Sequence, residues 1–212
     1  MKKIYAIIFT FCLLPLLSGC GIEKPTAVDS VKAIYDLYIL RQTAGATKLG
    51  MSEEDISNAL SAYDNALAET IRSNFSDSGL EMKDSTMEEI CMARRDALAR
   101  MKATYTLSSE KDGTAVVTLS TTYFDEDILD KNAAYSAREE ADAAGFSDYD
   151  DYLNYIMDAY TRNLIDAYKS VTPSEDTRDV LVTCIIVNNT WLPEDMSTFG
   201  SQLGAAVSGQ VQ

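Results

Sequence analysis

Amphipathic patterns with a helical period dominate residues 26–101. Apolar residues recur every three to four positions over about 26–41 and again over about 56–75, as on helices that bury one face. Ser52 is placed as the N-cap of the second helix, and Thr86 opens a capping box that predicts a third helix. The first half of the chain after residue 25 is therefore predicted to be helical.

The period changes from 3.6 to two at Thr104. Alternating residues flank the turn sequence Lys111-Asp112-Gly113, which predicts a β-hairpin over about 104–124. A further strand is predicted over about 179–191. Residues 180–187 place β-branched side chains on both faces of that strand, which predicts that it is the central strand of the sheet.

Two helices are predicted between the hairpin and the last strand. The first covers about 128–144, and the second is capped by Ser147, begins its buried stripe at Tyr149 and ends before Pro173. A short helix over about 194–207 follows the last strand. This order predicts the α+β class: a helix-rich single domain in which helices cover a small antiparallel sheet.

The N-terminus has the features of a bacterial lipoprotein signal peptide. Met1-Lys2-Lys3 is a short basic region, and the apolar run over 4–17 is shorter than the roughly 20 residues of a membrane-spanning helix. The run ends in Leu17-Ser18-Gly19-Cys20, which resembles the lipobox, whose cysteine is diacylated and becomes the first residue. An ordinary secretory signal with a chance cysteine is the alternative.

The lipobox predicts where the chain is cleaved and acylated and where in the cell the protein is located. Cys20 is predicted to be acylated, with palmitate as a typical label, on the extracytoplasmic face of a bacterial membrane. The predicted segments are a signal peptide over 1–19, a lipidated cysteine and tether over 20–25, one α+β domain over 26–207 and a polar tail over 208–212.

Charge and composition exclude several function classes. Lys2 and Lys3 leave with the signal peptide, so 16 of the 18 basic residues and all 33 acidic residues remain, a formal charge of −17. Nucleic-acid binding needs cationic groups, so no nucleic-acid partner is expected. The chain has no histidine, which excludes histidine-dependent triads, histidine-ligated zinc and a histidine general base.

Two cysteines remain in the predicted domain, because Cys12 leaves with the signal peptide and Cys20 is acylated. Cys91 lies in the third predicted helix, and Cys184 lies in the last predicted strand. Export permits a disulfide between them. The alternative is two buried free thiols that behave as small apolar residues.

Acidic clusters occur at two predicted helix starts. Asp125–Asp127 with Asp130, and Asp148 with Asp150 and Asp151, supply oxygen ligands at short spacing. Neither cluster has the glycine-centred twelve-residue loop of an EF-hand, and acids at helix starts stabilise the helix dipole. We predict helix starts there, and no metal or cofactor.

Any ligand pocket is predicted to be lined by some of four aromatic side chains. Tyr35 and Tyr38 lie on the first helix, Tyr123 at the end of the hairpin and Trp191 at the end of the last strand. Pockets are mostly apolar with few polar groups, and these side chains join an apolar body to a hydroxyl or N–H. The sequence contains no Walker loop, no dinucleotide-binding fingerprint and no Gly-x-Ser-x-Gly motif, so no motif identifies a catalytic residue.

Four segments support a resemblance to a known group of proteins: the lipobox, the early helix Val31–Tyr35, the helix start Gly50–Glu54 and the strand end Asn188–Trp191. With these segments the chain resembles exported lipoproteins of unknown function from Firmicutes-type bacteria, which often have an NTF2-like or cystatin-like fold. The resemblance implies an NTF2-like α+β domain. This chain departs from it in having two long helices before the last strand and only about three predicted strands.

Three functions remain open from the sequence. The absence of histidine and of nucleophile motifs favours a non-catalytic, lipid-anchored envelope protein that binds a small ligand or an envelope protein. The second is an enzyme that uses a carboxylate or a tyrosine in an NTF2-like cavity. The third is a purely structural envelope adaptor.

Overall fold

Residues 24–76 and 82–210 are described by the computed structural model. Their helices are α1 Ala27–Tyr38, α2 Ala44–Lys48, α3 Glu53–Ser76, α4 Asp84–Leu98, α5 Glu126–Ala144, α6 Tyr149–Ser170 and α7 Met196–Val207. Their strands are β1 Ala103–Lys111, β2 Thr114–Thr122, β3 Thr177–Val187 and β4 Thr190–Pro193. The predicted α+β class is confirmed, whereas the signal peptide and Cys20 lie outside the described residues. None of the described helices is both long and apolar enough to cross a membrane.

The four strands form one antiparallel sheet in the order β1-β2-β3-β4. Asp112 and Gly113 connect β1 to β2 with φ angles of 52° and 80°, and Asn188 and Asn189 connect β3 to β4 with φ angles of 50° and 65°. Two positive φ angles in a two-residue connection are required by a type I′ turn, which Asn and Gly adopt readily. The prediction of one strand over 179–191 is therefore wrong, because the chain reverses at 188–189 and adds a fourth strand.

One face of β3 is buried and the other is open. Val180, Val182 and Cys184 are buried, whereas Leu181 is 65% exposed and Thr183 is exposed. The strand lies inside the sheet, between β2 and β4, as expected of a central strand. β-Branched side chains suit a pleated strand on either face, so they also occur on the open face of β3.

Helix α1 is the centre of the core. It packs against all four strands, while α7 packs against β2 and β3. Thr26 caps the helix, accepting a hydrogen bond from the N–H of Asp29 in a reciprocal capping box. The helix ends at Tyr38 instead of near Arg41, which adopts a left-handed backbone with φ 58°. The short helix α2, which the pattern did not predict, follows this bend.

The N-caps of α3, α4 and α6 can be compared with the caps predicted from the sequence. The hydroxyl of Ser52 accepts a hydrogen bond from a backbone N–H of the first turn of α3, so the predicted cap is confirmed. The prediction of a capping box at Thr86 is wrong. Helix α4 already begins at Asp84, and its N-cap residue, Lys83, makes no side-chain hydrogen bond to the helix. For α6 the cap is Asp148, one residue after the predicted Ser147. A carboxylate can accept from two N–H groups at once, as Asp148 does.

Gly45 lets α2 lie directly against α1. A Cβ atom at Gly45 would lie 2.9 Å from Cβ and 3.0 Å from Cα of Ala33, whereas nothing lies within 4 Å of the Cβ position at Gly204, which is also helical. We expect Gly45→Ala to lower the free energy of unfolding by about 1–3 kcal/mol through overpacking. Gly204→Ala is expected to raise it by about 0.5–1 kcal/mol through helix propensity. Urea unfolding measures both changes, and a stabilised Gly45→Ala variant would contradict the close approach.

Candidate functional site

Tyr35, predicted to line a pocket, is fully buried between α1 and the sheet. Its hydroxyl oxygen lies 2.7 Å from Oγ1 of Thr121, and its ring contacts Tyr105 edge to face with 6.1 Å between centroids. Burial raises the pKa of Tyr35 to about 12, so the phenol remains protonated at neutral pH. The hydrogen-bonded ring fixes α1 against β2.

Tyr38, the second tyrosine of α1, is also buried and packs against α3. Its ring centroid lies 5.6 Å from that of Tyr63. The guanidinium carbon of Arg41 lies 5.1 Å from the Tyr63 centroid, and Arg41 also pairs with Asp64. These contacts stabilise the left-handed backbone of Arg41, which is uncommon for a side chain of this size. Tyr38 is thus part of the junction between α1 and α3.

Tyr123 and Trp191 are half-buried at opposite ends of β3. Tyr123 follows the pair Thr122 and Thr177, and Arg178 lies over its ring at 4.7 Å from the centroid. Trp191 lies opposite Ile186 and packs against the core. Nine residue steps along β3, from Thr177 to Ile186, separate the two ends, about 30 Å at the rise of a strand. The structure therefore does not bring these two aromatics together, and a pocket lined by some of the four predicted residues stays a prediction.

Cys91 and Cys184 are free thiols in the structure. Cys184 lies on the buried face of β3, and burial raises its pKa to about 11. Cys91 is half-buried on α4, where burial raises its pKa despite the opposing effect of Arg94. The raised pKa values keep both thiols protonated at neutral pH.

The acidic cluster over 125–130 forms a helix cap and a buried ion pair. Asp125 accepts a hydrogen bond from the N–H of Ile128 at the start of α5. Glu126 is buried, and its Oε1 lies 2.8 Å from Nε of Arg94 on α4. Burial alone would lower the pKa of Arg94, but the Glu126 carboxylate raises it, so the guanidinium stays charged. Among residues 24–76 and 82–210, no three or more Asp, Glu, Cys or His side chains come together as metal ligands would.

An aromatic cluster lies at the turn between α5 and α6. Its members, called the aromatic tip below, are Phe146, Tyr149, Tyr152 and Tyr155. The ring of Phe146 lies 5.1 Å from Tyr155 and 6.4 Å from Tyr152, and Tyr149 stacks on Tyr152 with 24° between the planes. Tyr149 is 71% exposed and Phe146 is 38% exposed. The cluster therefore exposes aromatic faces to solvent.

A seam of alanines joins the two helices below the aromatic tip. The alanines are Ala133, Ala137, Ala141 and Ala159, all buried. Their small side chains let the helix axes approach closely, and Arg162 pairs with Glu140 across the helices. The buried residues of α6 begin at Ala159, so its first ten residues, about 15 Å of helix, contain no fully buried side chain. The aromatic tip is thus the end of a two-helix projection.

The surroundings of the aromatic tip are acidic. Residues 141–155 contain four aspartates and no lysine or arginine. The negative end of the α5 dipole and the positive end of the α6 dipole meet at this turn and offset each other, so the carboxylates determine the sign of the local field. Tyr152 donates a hydrogen bond of 2.8 Å to Asp142, which raises the pKa of Tyr152. Arg138, one turn earlier on α5, lies 3.8 Å from Asp142.

The prediction that Tyr149 begins the buried stripe of α6 is wrong. Tyr149 is 71% exposed, and the buried residues of α6 begin only at Ala159. A helical period shows which residues share a face, but it does not show whether another element covers that face. The available signal was the density of aromatic residues, four within 146–155, beside a run of aspartates.

Comparison with known proteins supports the fold. The crystal structure of ycdA, a candidate lipoprotein of Bacillus subtilis subsp. subtilis str. 168, matches this chain with a TM-score of 0.64 and 14% sequence identity. The match covers 85% of this chain and 55% of the other, so this chain corresponds to about half of that protein. No family model and no curated protein matches the sequence. At this level of identity the likeness shows that this chain shares the fold of a candidate bacterial lipoprotein.

Proposed function

We propose that the protein is a lipid-anchored protein of the bacterial envelope whose domain binds another protein through the aromatic tip and catalyses no reaction. The observation on which this rests is the exposure of stacked aromatic rings at the end of a two-helix projection. Exposed aromatic clusters are unfavourable in water and are enriched at binding surfaces, where Tyr supplies much of the binding energy.

The N-terminal sequence supports the anchoring part of the proposal. Only residues 21–25 separate the lipobox cysteine from the N-cap of α1, and the six Cα–Cα steps from Cys20 to Thr26 span at most about 20 Å when extended. The domain would therefore lie close to the membrane. Its strong negative charge is repelled by anionic headgroups, which favours a protein partner over the lipid surface as the ligand of the domain.

The titratable groups support a binding role over catalysis. An acid catalyst in a cavity needs a carboxyl group whose pKa is raised by burial. Hydrogen bonds to Thr26 lower the pKa of Asp29, and hydrogen bonds to Thr198 lower the pKa of Asp195. These are the shifts of helix caps, which stabilise structure.

Hydroxyl-radical footprinting tests whether a partner covers the aromatic tip. The oxidation of Tyr149 is measured by mass spectrometry in native envelope membranes and in the purified protein. Tyr135 is the matched reference, because it lies on the same helical hairpin and is 68% exposed. We expect oxidation of Tyr149 to be several-fold lower in the membranes, with Tyr135 oxidised equally in both samples. Equal oxidation of Tyr149 in both samples would contradict the proposal.

A further inference from the structure

We infer that the partner contacts the aromatic tip through a lysine or arginine side chain, whose cationic group lies over the exposed face of Tyr149. This inference rests on the proposed function and names the chemistry of the partner at the same site. It follows from the rings that are exposed, the charges around them and the way other tyrosines of this chain are used.

The geometry leaves an aromatic face as the available binding group. Tyr149 stacks on Tyr152, and 71% of Tyr149 remains exposed to solvent. The hydroxyl of Tyr152 is already hydrogen-bonded to Asp142. The face of an aromatic ring is negative because of its quadrupole, so it attracts a cation and disfavours an anion.

Other tyrosines of this chain already have a cation over the ring. Arg178 lies over Tyr123 at 4.7 Å, Arg41 lies over Tyr63 at 5.1 Å and Lys32 lies over Tyr105 at 5.7 Å. These pairs come from basic residues of the same chain. At the aromatic tip, Arg138 interacts with Asp142 and with Tyr152. No lysine or arginine of the described residues lies over the ring of Tyr149, so a cation over that ring has to come from a partner.

The carboxylates beside the ring favour the same ligand. Asp148 is engaged in capping α6, whereas the side chains of Asp150 and Asp151 are exposed and form no ion pair within the part of the chain that the structure describes. Both lie within two residues of Tyr149, well inside the Debye length of about 8–10 Å. A cation over Tyr149 would therefore gain attraction from the ring and from these two carboxylates together.

A fluorescently labelled hexalysine peptide is the probe for this chemistry. Its affinity is measured by fluorescence anisotropy for the purified full-length lipoprotein in uncharged detergent. Tyr149→Phe keeps an aromatic face and is expected to bind like the unmodified protein. Tyr149→Leu keeps an apolar side chain without a quadrupole and is expected to bind about 2–5-fold more weakly. Tyr135→Leu, the matched control on the same hairpin, is expected to change nothing.

A pair of charge variants separates the aromatic tip from general attraction to an acidic protein. Asp150→Asn/Asp151→Asn removes two charges from the first turn of α6. Glu53→Gln/Glu54→Gln removes two exposed charges from the first turn of α3. We expect the first pair to weaken hexalysine binding more than the second, and circular dichroism to show both variants folded.

The outcomes distinguish this inference from the function on which it rests. Equal binding by Tyr149→Leu and the unmodified protein, or equal losses for the two charge pairs, would overturn the inference. If Tyr149 is nevertheless protected in envelope membranes, the protein partner contacts the aromatic tip through another chemistry, such as apolar packing, and the binding function remains supported. If Tyr149 is not protected there, the proposed function itself is contradicted.

Discussion

Arg94→Met is expected to lower the free energy of unfolding by about 3–5 kcal/mol. The guanidinium and the carboxylate of Glu126 are both almost fully buried, and Nε lies 2.8 Å from Oε1. Removal of the cation leaves a carboxylate without its partner in a place of low dielectric, which is the main part of the expected loss. Since domains are stable by only about 5–15 kcal/mol, urea unfolding should show the change clearly.

Two control variants make the assignment specific to the pair. Arg95→Met changes the next residue of the same helix, but its ion pair with Asp64 is longer, at 3.5 Å, and half-exposed, so a loss below about 1 kcal/mol is expected. Arg94→Met/Glu126→Leu replaces both charges by apolar groups and should recover most of the stability. A double variant as unstable as the sum of its single variants would show that the two charges do not interact.

Features set by neighbouring residues in the sequence could be predicted. The cap at Ser52, the turn at Asp112–Gly113 and the helix end at Gly145 all depend on side chains or backbone angles within a few residues. Such features have local physical causes: hydrogen bonds to free N–H groups and the ease of positive φ. The order of helices and strands follows from them together with periodicity, which explains why the α+β class could be predicted.

Features that depend on distant residues could not be predicted. Glu126 lies within a run of acids and has the local pattern of a helix start, yet its partner Arg94 is 32 residues away. Tyr149 has the helical phase of a buried residue, yet it is 71% exposed. In both cases burial is decided by packing between elements, and one sequence contains no direct record of which elements meet.

The ion pair and the aromatic tip lie at opposite ends of the same hairpin. Glu126 is the first residue of α5, so its bond to Arg94 ties the base of the hairpin to α4. At the end of α6, Arg100 donates hydrogen bonds to the carbonyl oxygens of Tyr168 and Lys169. The base of the hairpin is therefore attached to the core through both helices. The seam of alanines packs α5 closely against α6 from the base toward the aromatic tip, so the tip is held rigidly as well. This arrangement suits a binding surface, because a rigid support reduces the entropy lost on association.

Cys20→Ser is expected to abolish palmitate labelling and to move the protein from the membrane fraction to the soluble fraction. A single acyl chain binds a bilayer with a constant of about 10⁴ M⁻¹, and two chains acting together reach on the order of 10⁸ M⁻¹. Without them, the domain has no comparable attraction to a bilayer, because its formal charge after signal removal is strongly negative. Metabolic labelling and membrane fractionation measure the two effects separately.

Cys12→Ser is the matched control for this change, since it removes a cysteine from the segment predicted to be cleaved and should leave labelling and fractionation unchanged. Labelling that persists in Cys20→Ser would contradict lipidation at this residue. Loss of labelling with retention in the membrane would indicate that the uncleaved apolar run over 4–17 holds the chain there. In that case the serine at position 20 has blocked cleavage of the signal peptide, which identifies Cys20 as the residue at the cleavage site. Either way, the lipobox is tested by a change of one sulfur atom to oxygen, which leaves the described domain untouched.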